Sequence, residues 1–234
     1  MLVPARRRGF EILDDPALDP VVRERALGDI VSSNRWLGGR RAAMRAFRDV
    51  VASLGPHATL LDVGTGLGDL SAAATEVARD GGGQLMTIGV DEARSVLSAA
   101  RRQVTHVVCA DAGALPFRDG CVDVVLCSQV LHHFDPSDAE RVARELTRVA
   151  RRHVIVSDLR RSWIAAIGFW LVAFAFRFHR VTRHDGVVSV LRGFTAAELV
   201  RLVERAAGVT PVVARRWGYR LTARWVPPAE RSSV

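Results

Sequence analysis

Residues Thr59–Ser71 read TLLDVGTGLGDLS. An apolar run, Thr59–Val63, enters a turn whose glycines, Gly64, Gly66 and Gly68, occupy every second position, and helix-compatible residues follow from Leu67. A backbone that must bend sharply and let a ligand come close needs residues without Cβ. A helix opening there presents unpaired N–H groups and the positive end of its dipole, so an anionic guest is expected. The chain therefore contains at least one strand–turn–helix unit of the kind parallel sheets are made from, and its 234 residues suffice for one sizeable core around it.

Two ligand classes use such a turn. A dinucleotide fingerprint needs G-x-G-x-x-G, with its third glycine where helix and strand pack closely. Counted from Gly64, that place holds Asp69. The pattern present, Asp62-x-Gly64-x-Gly66-x-Gly68, resembles motif I of the class I S-adenosylmethionine-dependent methyltransferases. The resemblance implies that Asp62, Gly64, Thr65, Gly66 and Gly68 bind S-adenosyl-L-methionine, with S-adenosyl-L-homocysteine as product. It also implies an α/β, Rossmann-like fold: a mostly parallel seven-stranded sheet with helices on both faces, an N-terminal helical cap and an apolar lid after strand five.

Downstream matches follow in order. Gln84–Val90 reads as the second strand, with Asp91 at its carboxyl end, where ligand groups gather in open parallel sheets. An acidic residue there accepts hydrogen bonds from both ribose hydroxyls; it also suits the N-cap of a helix over Glu92–Arg101. By the resemblance, Asp91 and Glu92 belong to the cofactor site. After a third strand, Thr105–Cys109, Asp111-Ala112 resembles the motif that reads adenine, with Leu115-Pro116-Phe117 packing beyond it. Val122–Ser128 is nearly all apolar and reads as a strand covered on both faces. Ser128 and Gln129 then fall where these enzymes hold the methionine portion of the cofactor, and His132 and His133 where they hold the acceptor. Asp135-Pro136 opens a helix with Val142, Leu146 and Val149 inward. The chain departs from the family at Ala150–His153, which lacks the usual proline-glycine turn before the fifth strand, Val154–Ser157, and its terminal Asp158.

Ahead of the glycine turn, Met1–Asp19 reads as loose, and Val21–Asn34 and Arg41–Leu54 as helices joined at Trp36–Gly39. The run SSNRWLGGRRAAMRAF resembles the cap of ubiquinone/menaquinone-biosynthesis methyltransferases. That implies Asn34 beside the cofactor, although a helix-ending polar residue has the same appearance. Beyond strand five, Trp163–Phe176 is uncharged and rich in Trp, Phe, Ile and Leu, with arginines at both ends. It is shorter than the roughly 20 residues a bilayer-spanning helix takes. A buried helix, a lid over the acceptor pocket, or a peripheral membrane contact all fit, and the lid is favoured. Trp36, Trp163, Ile167, Trp170 and Arg192 are candidate acceptor contacts. Thr195–Glu198 is a capping box, and Val209–Ala214 with Tyr219–Trp225 reads as a hairpin around Trp217-Gly218. The chain thus divides into a cap (1–56), a cofactor core (57–159), a lid (160–194), a closing helix and hairpin (195–226) and a tail (227–234). The DLRRS, TRHDG and SVLRGFT runs resemble bacterial methyltransferases that accompany type III polyketide synthases in secondary metabolism.

The net charge of +8 raises the question of nucleic acid, but all 33 basic residues are arginine and are dispersed along the chain, as solvated surface charge is. Cys109, Cys121 and Cys127 read as buried thiols of a reducing compartment; no metal site and no signal peptide are read, and a cytoplasmic protein is expected. The activity expected is methyl transfer to a lipophilic phenolic, quinonoid or polyketide-derived small molecule, on oxygen in preference to carbon. His133 and His184 are the candidate general bases, with His132 a third. An RNA acceptor, or a non-methylating cofactor-binding protein or cyclase on the same fold, are the alternatives.

Overall fold

The computed structural model describes residues 3–228, apart from Arg8 and Pro16. Seven strands, β1 (His57–Val63), β2 (Gln84–Asp91), β3 (His106–Cys109), β4 (Val122–Ser128), β5 (Ala150–Leu159), β6 (Val212–Arg216) and β7 (Arg220–Trp225), form one sheet in the order β3-β2-β1-β4-β5-β7-β6. The first five run parallel, and β7 is antiparallel to both β5 and β6. This is the α/β architecture the glycine turn implied. Its helices are α1 (Pro20–Trp36), α2 (Gly39–Val51), α3 (Asp69–Asp80), α4 (Arg94–Ala100), α5 (Pro136–Val149), α6 (Trp163–Ala175), α7 (Arg180–Arg192) and α8 (Ala196–Ala207).

Side chains alternate across a strand, so neighbours in β1 serve opposite cores. Leu61 and Val63 join Val142 and Leu146 of α5 and Leu199 of α8 on one face. Leu60 joins Phe47 of α2, Ala74 of α3 and Ile155 on the other. Every residue of β4 is buried, because helices cover both faces at the sheet's centre. Thr195 and Glu198 close the reciprocal capping box that starts α8.

At four points the structure adds to or corrects the sequence reading. Where a proline-glycine turn was missing, α5 ends at Val149 and β5 begins at Ala150 with no turn between them. The TRHDG run, to which no element was assigned, lies in α7, which packs on α6. Of the cysteines only Cys127 is buried: Cys109 lies on the edge strand β3 and Cys121 precedes β4, so neither has a second layer over it. The N-terminal segment, expected to be loose, is a tethered strap. The Ile12 and Leu13 N–H groups each donate to the Asp185 carboxylate at 2.9 Å. Arg161 Nε donates to the Pro4 carbonyl at 2.7 Å, and Arg6 Nε to the Arg192 carbonyl at 2.7 Å. These partners lie far away in sequence, so no local pattern announces them. Residues 229–234, most of the expected tail, lie outside the described residues.

Candidate active site

The strand register brings the functional positions to one edge. Asp62 pairs with Gly89, Val63 with Cys127, Asp91 with Cys109, Ser128 with Ser157, and Leu159 with Arg220. The carboxyl ends of β1–β5 therefore share one rim with the start of β7, which is where an open α/β sheet binds its ligand. The turn after β1 needs its glycines there. Gly64 has φ +71°, and a Cβ on it would collide with the Val130 side chain. Gly66 has φ +53° and open space where a Cβ would stand, a bare stretch of backbone that a ligand can approach.

Asp62 and Asp91 flank that turn. Asp62 Oδ2 accepts from Ser71 Oγ at 2.7 Å and Thr65 Oγ1 at 3.0 Å, so the spacing of the motif is first of all an internal brace. Burial pushes the Asp62 carboxyl up to about 6 against those two bonds. Asp91 Oδ2 accepts from the Gly66 N–H at 3.2 Å and Oδ1 from the Ala93 N–H at 3.0 Å. Burial raises its carboxyl too.

A second cluster joins three distant elements. Gln129, held at φ +57° just past β4, donates from Nε2 to Asn34 Oδ1 at 2.7 Å. Arg220 donates to Gln129 Oε1 at 2.6 Å and to Asn34 Oδ1 at 3.4 Å. The α1–α2 junction is seated directly on the β6–β7 turn: a Cβ on Gly38 would meet Trp217, and one on Gly218 would meet the Leu37 carbonyl. This contact carries Asn34 to the rim. Arg220 escaped the sequence reading; its only signal was a charge at the first position of the closing strand, which carries a second arginine, Arg224.

Beside β5, the turn Leu131–His133 presents its histidines to a buried acid. His132 Nδ1 lies 2.7 Å from Asp158 Oδ1, and Asp158 also accepts from the backbone N–H groups of His132 (3.2 Å) and Leu159 (2.7 Å). Burial pushes the Asp158 carboxyl up, but His132 and these donors outweigh it and hold the group below its ordinary value. An ionised Asp158 fixes the proton on His132 Nδ1 and leaves Nε2 as the basic nitrogen. That nitrogen is 4.0 Å from Glu11 Oε1 of the strap, and His133 Nδ1 is 3.7 Å from Glu11 Oε2. Arg192 supplies the balancing charge, 3.4 Å from Glu11, while donating to the carbonyls of His132, His133 and Gly9. A cavity of about 250 Å³ opens here, lined by Arg6, Gly9, His132, Phe134 and Arg192 among others. A larger one, about 310 Å³, lies by Gly55 and Gly81–Gly83, where β1 and β2 begin, away from this chemistry.

The remaining candidates are more scattered. Asp111 is exposed; Oδ1 accepts from the Gly113 N–H at 2.7 Å and Oδ2 lies 3.4 Å from Arg141. Ala112 beside it is half-buried. Glu92 is exposed, and α4 starts only at Arg94. His184 is on α7, hydrogen-bonded at 2.7 Å to Asp185. Arg192 holds the strap and the histidine turn through the bonds above. Trp36, Trp163, Ile167 and Trp170 are exposed side chains, not the lining of a closed pocket.

Three buried polar atoms at the rim, Asp62 Oδ1, Ser128 Oγ and Arg220 Nε, have no hydrogen-bond partner among the described residues. Buried polar groups are otherwise almost always paired, so the residues present fit a polar ligand such as the cofactor. The strand order and the glycine turn are those of the Rossmann-like fold that class I S-adenosylmethionine-dependent methyltransferases share. Residues 61–156 match the family model described as a methyltransferase domain. The chain is 34% identical over 131 residues to a ubiquinone/menaquinone biosynthesis C-methyltransferase of Acidiphilium cryptum, covering 53% of this chain and 49% of that protein. It is 30% identical over 122 residues to a tRNA (carboxymethyluridine(34)-5-O)-methyltransferase of Xenopus tropicalis, covering 52% of this chain and 17% of that protein. It thus spans half or less of the length of these relatives. The crystal structure of magnesium protoporphyrin IX methyltransferase from Synechocystis PCC 6803 with bound S-adenosylhomocysteine superposes with a TM-score of 0.58 at 16% identity, covering 89% of this chain and 99% of that one.

Proposed function

We propose that this protein methylates a hydroxyl of a lipophilic small molecule, phenolic, quinonoid or polyketide-derived, with S-adenosyl-L-methionine as donor. The observation that carries the reading is the His132–Asp158 pair on the same rim as the glycine turn. The bound cofactor supplies a methyl group already activated on a sulfonium. The protein's part is alignment, exclusion of water and removal of the acceptor's proton. In this proposal Asp62, Gly66, Asp91 and Asp111 hold the nucleoside end, and Asn34, Ser128 and Gln129 the amino-acid end. His132 Nε2 accepts the hydroxyl proton as Asp158 steadies the ring. The Glu11 strap and Arg192 keep the histidine turn in position and close the cavity.

The acceptor's lipophilicity is read from α6. Its outward residues Trp163, Ile164, Ile167, Trp170, Leu171 and Phe174 are all exposed, while Ala166 and Ala173 pack inward. A patch of this kind marks an interaction surface. Between Leu159 and Asp185 there is no acidic residue, and Arg177 and Arg180 are exposed beside it. Arg7 and Arg183 lie over the Trp163 and Phe174 rings. Exposed apolar side chains flanked by arginines suit an anionic membrane surface from which a greasy acceptor is drawn. No helix among the described residues is long and apolar enough to cross a membrane.

The test is incubation with methyl-labelled S-adenosylmethionine and a panel of phenols and quinones. A labelled product that disappears in His132→Ala supports the proposal; folded protein that fails to bind S-adenosylmethionine by calorimetry overturns it. The tRNA-modifying relative favours a second reading, an RNA acceptor. Label transferred to bulk tRNA and to none of the small molecules would establish that reading instead.

A further inference from the structure

Among the described residues, Arg220 is a buried cation in no ion pair. It is 4% exposed, its Nε–H has no partner among the described residues, and the groups it does reach, Gln129 Oε1 and Asn34 Oδ1, are neutral amides. The nearest influence of opposite sign is Asp158, whose oxygens are already taken by His132 and by backbone N–H groups. Withdrawing a guanidinium from water without an anion beside it is among the most unfavourable arrangements a core can contain. Burial accordingly pulls the group down to about 10.

Yet the surroundings hold it there firmly. Gly38 and Gly218 allow the cap to sit on the β6–β7 turn, Gly39 leaves room for the Asn34 amide, and Gln129 adopts φ +57° beside it. Backbone conformations unfavourable for a non-glycine residue persist where the fold over-determines them, and they cluster at ligand sites. The unpartnered Nε–H is one arm of the fork with which arginine grips a carboxylate in two parallel hydrogen bonds. Arg220 stands at the same end of the sheet as Ser128, whose buried Oγ is also unsatisfied among the described residues.

We infer that Arg220, steadied by Asn34 and Gln129, is a carboxylate-binding site at the ligand edge of the sheet. The carboxylate is either that of the cofactor's methionine portion, in which case the inference rests on the methyltransferase reading, or an acid group on the acceptor.

Calorimetry on the wild type, Arg220→Met and Arg220→Lys separates these sources. S-adenosylhomocysteine is compared with 5′-methylthioadenosine, which keeps the nucleoside and thioether but has no carboxylate. Salicylate is compared with salicyl alcohol. If the cofactor is the source, Arg220→Met lowers the preference for S-adenosylhomocysteine over 5′-methylthioadenosine by about 10- to 100-fold, with Arg220→Lys recovering part of it. If the acceptor is the source, that preference stays and the preference for salicylate over salicyl alcohol falls instead. In both cases the ligand-free Tm of Arg220→Met is not below that of the wild type, because an uncompensated charge has been removed. The inference is overturned if Arg220→Met keeps both preferences, or if it loses thermal stability while Arg220→Lys keeps every preference unchanged, which would make the residue structural. Binding of 5′-methylthioadenosine by the wild type tests the cofactor reading separately, so the two ideas cannot fail under one result.

Discussion

Asp62→Asn should make the ligand-free protein more stable while weakening its hold on the cofactor. Asp62 is 1% exposed, and its carboxyl is raised from 3.8 to about 6, chiefly by burial. A raised carboxyl means that the folded state holds the proton more tightly than the unfolded chain. Its stabilising contribution is complete below pH 3.8 and is lost as the pH rises through about 6. Above that, keeping Asp62 ionised costs about 3 kcal/mol, at 1.36 kcal/mol per pH unit. In Asp62→Asn the amide oxygen keeps the bonds from Thr65 and Ser71, and its NH₂ takes the place of the partnerless Oδ1. An unsatisfied buried donor returns about 1 kcal/mol of that. The net gain at pH 7.5 is about 2 kcal/mol, or about 4–8 °C in Tm for a chain of this size. At pH 5.0 the carboxyl is mostly protonated in the folded state, and the advantage shrinks by about 1.4 kcal/mol. Urea or thermal unfolding of both proteins, freed of ligand, at the two pH values measures this difference, in which other titrations cancel. S-adenosylhomocysteine affinity should fall at least about tenfold. An Asp62→Asn protein less stable than wild type at pH 7.5, or one whose advantage does not change between pH 5.0 and 7.5, refutes the reasoning.

Asp158→Asn removes the acceptor that fixes the His132 tautomer, and kcat should fall about 10²- to 10⁴-fold. The S-adenosylhomocysteine dissociation constant should stay within about twofold, because Asp158 is not a proposed cofactor contact. Asp185→Asn weakens the two backbone bonds to Ile12 and Leu13. Hydrogen exchange at those amides should then speed up, with a stability loss of about 1–3 kcal/mol; unchanged protection would show that the strap is held elsewhere. Trp170→Glu with Leu171→Glu should abolish co-sedimentation with phosphatidylglycerol vesicles without changing cofactor affinity. Wild-type binding should weaken in 0.5 M salt, by screening, and wild-type protein that ignores such vesicles at low salt would contradict the membrane assignment of α6. Gly64→Ala sets a Cβ against Val130 at positive φ and should destabilise the fold by about 1–3 kcal/mol, measured by urea unfolding.

What the sequence determined by itself is whatever depends on short range. The glycine turn, the apolar strands on either side of it, the capping box at Thr195 and the stripe Val142–Leu146–Val149 all express periods of two or of three to four residues, or backbone conformations open mainly to glycine. Those periods placed the individual strands and helices; the seven-stranded sheet, with Asp62 and Asp91 at its edge, was implied by the resemblance that the glycine motif carries. Tertiary structure alone decided which polar groups meet. Arg220 and Asn34 are drawn together from opposite ends of the chain, Glu11 is carried to the histidine turn by a strap without periodicity, and Asp185 anchors that strap from α7. The outward face of α6 was also undecidable in advance, since an unbroken apolar run reads the same whether a core, a ligand or a bilayer covers it. The physical reason is common to all of these. A hydrogen bond or an exposed face has no repeat along the chain, so its partner is specified only once the sheet has closed and distant elements share a rim.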